Sequence, residues 1–493
     1  MSFFTISCMS GVVAAAAPRW LAVAILSLSL AAPAVAASAS RTRLMAQPGS
    51  SKAGLAVKLI AEVDGLGGGA PTGTVSFSEG GVALGAGTLS AFGAGQATLA
   101  SACALTSVGG VMCWGYNEFG AVGDGTTTDR PSPVAVSGLS GGVVAITTGA
   151  LHACALTVAG AVLCWGSNAN GQIGDGTMTN RLTPVAVSGL SSGVVAIAAG
   201  QFHNCALTSA GAVLCWGWDG LGQLGDGVEN YYVNRLTPVG AWGLSSGVVS
   251  ITAGDNHSCA VMRGGAARCW GQNHRGQLGD GTTTERSKPV AVTGLAGGVA
   301  AIMAGGVHTC AVTSAHAVKC WGYNYYGQVG DGTTTTRITP VAVSGLSSGV
   351  VALAAGYGHN CALKGDGGLW CWGRNYFGQV GDRTTTHRAT PVSVPGHTRG
   401  VLAIALGGDH SCVSVGGGIV RCWGNNWHGE LGDGTFKNRL APAPIPGFTA
   451  LIRARASMLT NSLAVGSHTL QASFPGDAAH SASSGSQSHS IVP

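Results

Sequence analysis

The sequence predicts an all-β protein in which seven copies of one unit sit inside a second, non-repeating β domain. Three observations predict it. The dipeptide Trp-Gly recurs at Trp114, Trp165, Trp216, Trp270, Trp321, Trp372 and Trp423, at spacings of 51, 51, 54, 51, 51 and 51 residues. A fixed period of that size marks a solenoid, a propeller or an array of small units. Helical periodicity is hard to find, while short β-prone runs such as VVAIAAG and PVAVSG alternate with turns in a chain holding 82 glycines. The stretches before and after the array carry strand-like segments of their own.

In chain order, residues 1–37 read as a secretory signal. Arg19 precedes an apolar run from Trp20 to Leu30, and AAPAVAA offers a small-residue cleavage site near Ala36. The run is short for a spanning helix and no later run approaches 18 apolar residues, so no transmembrane segment is expected. Cleavage would remove Cys8 from the 15 cysteines and leave an even number for pairing, as an oxidising compartment favours.

Residues 38–99 follow. AGLAVKLIAEVDG, PTGTVSFSEGG, GVALGAGTLS and GQATLA are strands separated by Gly/Pro turns. The run Pro71-Thr72-Gly73-Thr74-Val75-Ser76-Phe77 resembles bacterial immunoglobulin-like repeat domains of surface proteins. In that family the GxATL strand continues into LAxGxHTLxAxYxGD. Here the continuation comes 360 residues later, as Leu463 to Asp477, with Phe474 for the usual Tyr and Pro475 for the usual Ser. The resemblance implies an immunoglobulin-like sandwich with halves at 38–99 and 457–493 and the array, 100–456, inserted between them.

Each unit of the array carries two cysteines ten positions apart. The pairs are Cys103 and Cys113, Cys154 and Cys164, Cys205 and Cys215, Cys259 and Cys269, Cys310 and Cys320, Cys361 and Cys371, and Cys412 and Cys422. Gly160 and its equivalents, replaced by His316 in the fifth unit, mark the left-handed last position of a three-residue hairpin loop. Counting outward from that loop, Thr157 faces Ala161, Cys154 faces Cys164 in a non-hydrogen-bonded pair, and His152 faces Gly166. A disulfide within each unit follows. Zinc would call for shorter Cys spacing, and no metal site is expected.

The histidine recurs as His203, His257, His308, His359 and His410, with Ser101 in the first unit. It reads as a packed residue hydrogen-bonded within its own unit. Asp124, Asp175, Asp226, Asp280, Asp331, Asp382 and Asp433 each precede an Arg by six or nine residues and read as structural ion pairs. The first unit begins abruptly at Ser101 without the strand that precedes the others. The spare segment 449–456, TALIRARA, is expected to complete it and close a ring.

The units follow G-x-x-H-x-C-A-L and then C-W-G-x-N-x-x-G-Q-L-G-D-G-T. This pattern resembles the regulator of chromosome condensation repeat family over about 101–456, in an exported bacterial type. The resemblance implies a seven-bladed β-propeller of about four strands per blade. It also implies guanine-nucleotide exchange as an activity, which the signal and the cysteine pairs disfavour.

Where the units disagree, a partner can be read. Counted from each Trp, the third position is Asn or Asp and the sixth is Gly, as a turn requires, and the second, fourth and fifth positions vary. There lie Tyr116, Phe119, Trp218, His274, Arg275, Tyr323, Tyr325, Tyr326, Arg374, Tyr376, Phe377, Trp427 and His428, in a chain only 6% aromatic. Equivalent loops share one face, and aromatics with Arg are the residues enriched at binding hot spots. The competing reading is that these rings merely cover the ends of the blades.

Only 9% of residues are charged, and the net charge of +5 lacks any Lys/Arg run, so nucleic acid is not an expected partner. A propeller glycosidase or polysaccharide lyase is the alternative. A glycosidase wants two carboxylates about 5–10 Å apart, whereas Glu118, Asp219, Glu229, Asp255, Glu285 and Glu430 are scattered over different units. No HExxH or P-loop is present, and no cofactor is called for. The reading is a secreted or cell-surface binding protein, not an enzyme, that engages an extracellular protein or glycan. A module that merely spaces or displays another domain is the third reading.

Overall fold

The structure, a computed structural model, describes residues 39–47, 50–52, 57–66, 74–79, 82–88, 90–93, 95–97, 101–106, 109–228, 234–449, 452–460, 463, 466–475 and 482–492. The expected leader, the Pro71-Thr72-Gly73 turn and Glu229 lie outside the described residues.

The second unit shows how the repeat folds. Val143–Thr148, His152–Thr157, Val162–Gly166 and Arg181–Ala186 form one antiparallel sheet in that spatial order, here called strands a to d. The b–c hairpin turns as its residues dictate. Thr157 N–H donates to Ala161 O and Gly160 N–H to Thr157 O, both at 2.9 Å. Gly160 takes φ 78° and its counterpart His316 φ 61°, the left-handed position where Gly is cheapest and His is tolerated. Cys154 therefore lies opposite Cys164 and His152 opposite Gly166.

The same register holds in every unit, and all seven cysteine pairs are bonded. Cys103 is joined to Cys113, Cys154 to Cys164, Cys205 to Cys215 and Cys259 to Cys269. Cys310 is joined to Cys320, Cys361 to Cys371 and Cys412 to Cys422. In each pair the Cα atoms are 4.1 Å apart, near the spacing of a non-hydrogen-bonded antiparallel pair.

The c–d connection is organised by its Asn. Asn168 is fully buried; its Oδ1 accepts from Ile173 N–H, and its Nδ2 donates to the carbonyls of Thr177 and Thr179. Beside it, Asp175 accepts from Thr177 N–H and Oγ1–H and is ion-paired to Arg181 at 2.6 Å. The same Asp–Arg pair recurs in every unit. At Asp124, Asp175, Asp280, Asp331, Asp382 and Asp433 burial alone would raise the carboxyl, but the Thr and Arg contacts prevail and hold it below the usual carboxylate range.

Neighbouring sheets are tied by the buried tryptophans. Each indole N–H donates to a carbonyl of the preceding unit: Trp165 to Ala121, Trp216 to Gln172, Trp270 to Gln223, Trp321 to Gln277, Trp372 to Gln328 and Trp423 to Gln379, at 2.9–3.0 Å. Trp114 of the first unit donates to Glu430 O of the seventh at 2.8 Å.

The repeated histidine corrects one expectation, since its partner lies in the next unit and not in its own. His152 Nε2 meets Asn204 Oδ1 at 3.0 Å, His203 meets Ser258, His257 Thr309, His308 Asn360 and His359 Ser411. The imidazole sits against Gly149, where an added Cβ would come 2.1 Å from His152 Cε1. That close approach is why the motif begins with Gly. Packed there, the ring reaches past its own sheet and finds its acceptor next door. Burial keeps these rings neutral, lowering His152, His308 and His410 to about 4 and His203, His257 and His359 to about 3.

The expectation for the first unit is also corrected. Its innermost strand is Gly95–Ala97, paired with Ser101–Leu105, and not the segment 449–456. A three-residue strand one short turn away reaches the vacant edge locally. Meanwhile the seventh unit's strand d runs to Thr449, and the next strand, Ile452–Thr460, pairs along its whole length with Val57–Leu66 and then with Ser90–Gly93. Nine residues of ladder there outweigh the short slot in the first sheet. Consequently Gly95–Ala97, read as part of the N-terminal domain, belongs to the first repeat sheet. The hairpin partner of Gly466–Phe474 is not that strand but Ser483–Val492, with Thr74–Glu79 on its other side.

Outside the units, two further sheets share a core. One has the order Ala39–Gln47, Val57–Leu66, Ile452–Thr460, Ser90–Gly93. The other runs Ser50–Lys52, Ser483–Val492, Gly466–Phe474, Thr74–Glu79, Val82–Thr88. Along Gly466–Phe474 alternate residues are buried, the period expected of a strand with one face inward. Leu470, Ala472 and Phe474 meet Val75, Phe77, Ala61, Val63, Leu44 and Ile491.

Candidate functional site

The pairing of His152 with Gly166 puts two kinds of loop at one end of each sheet: the Gly-x-x-His loop before strand b and the loop after Trp-Gly. Leu151 O accepting from Ser167 N–H at 2.8 Å joins them. The variable residues predicted from sequence therefore share a face with the mouth of a cavity of about 380 Å³ lined by strands a of the second to seventh units.

The three variable positions are not equivalent. The fourth from Trp points outward, leaving Tyr325, Tyr376 and Trp427 at 65%, 52% and 61% exposure. The second and fifth are mostly half-buried and make the ring-to-ring contacts. Around Arg374 these contacts become dense. Its guanidinium lies 5.3–5.9 Å from the rings of Tyr326, Tyr357, Tyr376 and Phe377, and it donates to Asp409 at 2.8 Å. Gln379 Nε2 donates to the same carboxyl. Each cation–ring contact is worth about 0.5–1 kcal/mol at an accessible site, so four rings and one carboxylate fix the guanidinium as a rigid centre. Burial raises the Asp409 carboxyl in opposition to Arg374, which favours its charged form.

From this centre the contacts spread. Tyr326 packs edge-on to Tyr325, Tyr376 and His387, and Tyr323 stacks on Tyr325 and lies under Arg275. In the other direction Phe377 meets Trp427 at 5.0 Å. His428, next in the chain, meets Tyr116 at 4.8 Å and bonds Asp129, and Tyr116 meets Phe119. Tyr116 OH donates to Glu118, and burial together with that carboxylate pushes the phenol up to about 12. One continuous patch thus joins the expected residues of the fourth, fifth, sixth, seventh and first units.

Two expected residues stand apart. Trp218 folds over Gly220 and packs on Phe202, and His274 is exposed without a ring contact to the patch among the described residues. Sequence reasoning missed Tyr357, Asp409 and Asp255, all in Gly-x-x-His loops, and His387. The same test of unit-to-unit variation would have found the first three. Position two of that loop reads Ala150, Gln201, Asp255, Gly306, Tyr357, Gly408, and position three ends with Asp409.

Comparison with known proteins bears on the scaffold. The model of the regulator of chromosome condensation (RCC1) repeat matches residues 109–156, 159–207, 210–261, 266–312, 317–363 and 366–414. The chain belongs to the RCC1 repeat family. The ultraviolet-B receptor UVR8 of Arabidopsis thaliana is 33% identical over 343 residues, 68% of this chain and 77% of the receptor. A secretion-regulating guanine nucleotide exchange factor of Bos taurus is 30% identical over 377 residues, 70% of this chain and 80% of that protein. The E3 ubiquitin-protein ligase HERC2 of Homo sapiens is 30% identical over 374 residues, but this chain spans only 8% of it. Among solved structures, yeast RCC1 (Prp20) bound to Kap60 aligns with TM-score 0.61 at 22% identity, covering 72% of this chain and 91% of that one. Human WBSCR16 aligns with TM-score 0.62 at 22% identity, covering 70% and 98%. At such identities the likeness is one of fold: this all-β chain has RCC1-like propellers as its structural neighbours. Among the described residues, no helix is long and apolar enough to cross a membrane.

Proposed function

We propose that the chain is an exported or surface-displayed binding protein, not an enzyme. In this reading its seven sheets are the blades of a closed propeller set into an immunoglobulin-like sandwich, and the ring-rich face engages an extracellular protein or glycan. The observation that carries the proposal is the Arg374 centre: a guanidinium held by four rings and Asp409, flanked by exposed Tyr325, Tyr376 and Trp427. Rigid aromatic anchors around a fixed Arg are what a hot spot requires. The seven disulfides and the leader-like residues 1–37 support an oxidising, extracellular setting. The bond from Trp114 to Glu430 supports closure of the ring. Nucleotide exchange, the activity in the name of the Bos taurus relative, is a poor match for an exported, disulfide-bonded chain.

The test compares partner capture by the wild type and by a Tyr325→Ala/Tyr376→Ala/Trp427→Ala variant in native extracellular medium. The variant should melt near the wild-type temperature, because accessible substitutions usually cost within about 0.5 kcal/mol each. It should lose at least about 2 kcal/mol of affinity for the captured partner. Equal affinity would show that the rings only cap the sheets.

A further inference from the structure

We infer that the mouth on the ring-rich face receives the ammonium group of a lysine side chain from the partner, seated on the Asp255 carboxylate beside the Tyr357 ring. The inference rests on the reading that this face binds a protein. The mouth is formed by the Gly-x-x-His loops of the second to seventh units, and its walls are almost entirely Gly and Ala. Its volume of about 80 Å³ leaves room for the end of a side chain. Backbone bonds from Ala150 N–H to Gln201 O and from Gln201 N–H to Asp255 O tie the second to fourth loops together.

In this lining Asp255 is the charged residue and Tyr357 the ring. They converge above Gly306: a Cβ built there would lie 3.2 Å from Asp255 Oδ2 and 2.8 Å from Tyr357 Cδ2. Only glycine fits there, because a Cβ would also come 2.7 Å from Tyr357 O, so Gly306 lets the carboxylate and the ring close on the loop. Asp409 is bound by Arg374 and Gln379, whereas the Asp255 carboxyl has no hydrogen bond or ion pair among the described residues. Burial without a partner pushes Asp255 up to about 7, the mark of a carboxylate lacking its counter-charge. The positive charge of Arg374, also within 5.7 Å of the Tyr357 ring, is already answered by Asp409. A divalent metal would need several oxygen ligands around it, and one carboxylate does not supply them. A guanidinium wants a planar fork that a narrow mouth does not offer, while an ammonium is compact and gains from the face of a tyrosine ring.

The test uses the full-length protein with ¹⁵N labelling. N-acetyl-lysine-N-methylamide is titrated against the norleucine analogue, which lacks the ammonium, n-butylammonium, and calcium chloride. Both ammonium probes, and neither the norleucine analogue nor calcium, should saturably shift the amides of Gly254, Gly306 and Tyr357. Asp255→Asn should weaken the lysine probe at least 10-fold, and Tyr357→Leu about 3-fold. Equal shifts from the norleucine analogue, saturation by calcium in place of the amine, or no shift from either ammonium would overturn the assignment. So would unchanged lysine affinity in Asp255→Asn, or in Tyr357→Leu should the first variant fail to fold. The aromatic variant separates this inference from the one beneath it. Ring-dependent capture without lysine shifts in the wild type overturns the lysine seat and leaves the binding face standing.

Discussion

Lowering the pH from 7.5 to 5 should destabilise the chain through its buried histidines while they remain neutral in the folded state. Six rings have folded pKa values of about 3 to 4, against about 6.5 when unfolded. A lowered value means the stability is fully present above 6.5 and is lost as pH falls toward 4. At pH 5 each ring therefore costs about 2 kcal/mol, roughly 12 for all six if they act independently. Asp219 and Asp255 oppose this. Burial pushes both up to about 7, so the same change of pH relieves about 2–3 kcal/mol at each. The histidines outweigh these two by roughly 7 kcal/mol, and Asp409, Glu430 and Glu285, which burial also raises, narrow that margin. A direct assay is proton uptake on thermal unfolding at pH 5 in weak buffer. Six histidines take up a proton and the carboxyls raised by burial release theirs, so the net uptake should lie between roughly one and four. His308→Gln should lower that number by one. An uptake near zero, or ring resonances in the folded protein that titrate near 6.5, would refute the reasoning.

Peptide mapping without reduction should find only local disulfides, Cys154 with Cys164 and likewise in each unit, and Cys154→Ala/Cys164→Ala should cost about 2–3 kcal/mol by chain entropy; a bridge between units would contradict the hairpin register. His308→Ala should lower the melting temperature by leaving Asn360 Oδ1 without its bond, while partner affinity holds; loss of affinity without loss of stability would move the site onto the repeated residues. Asp219 stands where other units have the buried turn Asn, and its carboxyl, unlike an amide, has no hydrogen to donate unless protonated. Its raised pKa makes it favourable below about 4 and progressively costly as pH rises to 7, so Asp219→Asn should melt higher than wild type at pH 8 and nearly level with it at pH 4, and a pH-independent difference would refute this.

Much of the scaffold was legible because it is local. The pairing of Cys154 with Cys164, the left-handed His316 and the facing of His152 and Gly166 all follow from counting across one hairpin. The Asp–Arg pairs lie within one turn of chain. What failed to read out depends on packing between elements. The acceptor for His152 is Asn204, 52 residues on, and nothing within one unit points to it. Gly95–Ala97 is too short to carry a pattern, while TALIRARA looks like a strand and is one, in another sheet. At the site, the exposed tips Tyr325, Tyr376 and Trp427 were visible as variation among copies. Tyr357 and Asp255 hid in a loop whose other occupants, Ala150, Gly306 and Gly408, look like spacers.

The seam between the seventh and first units combines the weakest scaffold with part of the strongest patch. Between the second and seventh units the residue after the repeated His offers an acceptor to the preceding unit's ring: Asn204, Ser258, Thr309, Asn360 and Ser411, while Ala153 of the second unit has only Ser101 in place of a ring before it. At the seam the equivalent residue is Ala102, and neither ring nitrogen of the buried His410 has a partner among the described residues. The innermost strand beyond it is only Gly95–Ala97. Across the seam stand Trp114 with Glu430 O, Trp114 against Phe448 at 5.7 Å, and His428 with Asp129 at 2.9 Å. Local opening follows the least-bonded boundary, so amides of Ser101–Leu105 and His410–Val415 should exchange hydrogen sooner than those of His308–Thr313 and His359–Lys364. The patch crosses this boundary through His428 and Tyr116. A partner that binds only the joined form stabilises it by mass action, and should slow exchange at the seam more than in the fifth and sixth units. Uniform exchange in the free protein, or protection spread evenly on binding, would mean the seam is as firm as the other boundaries.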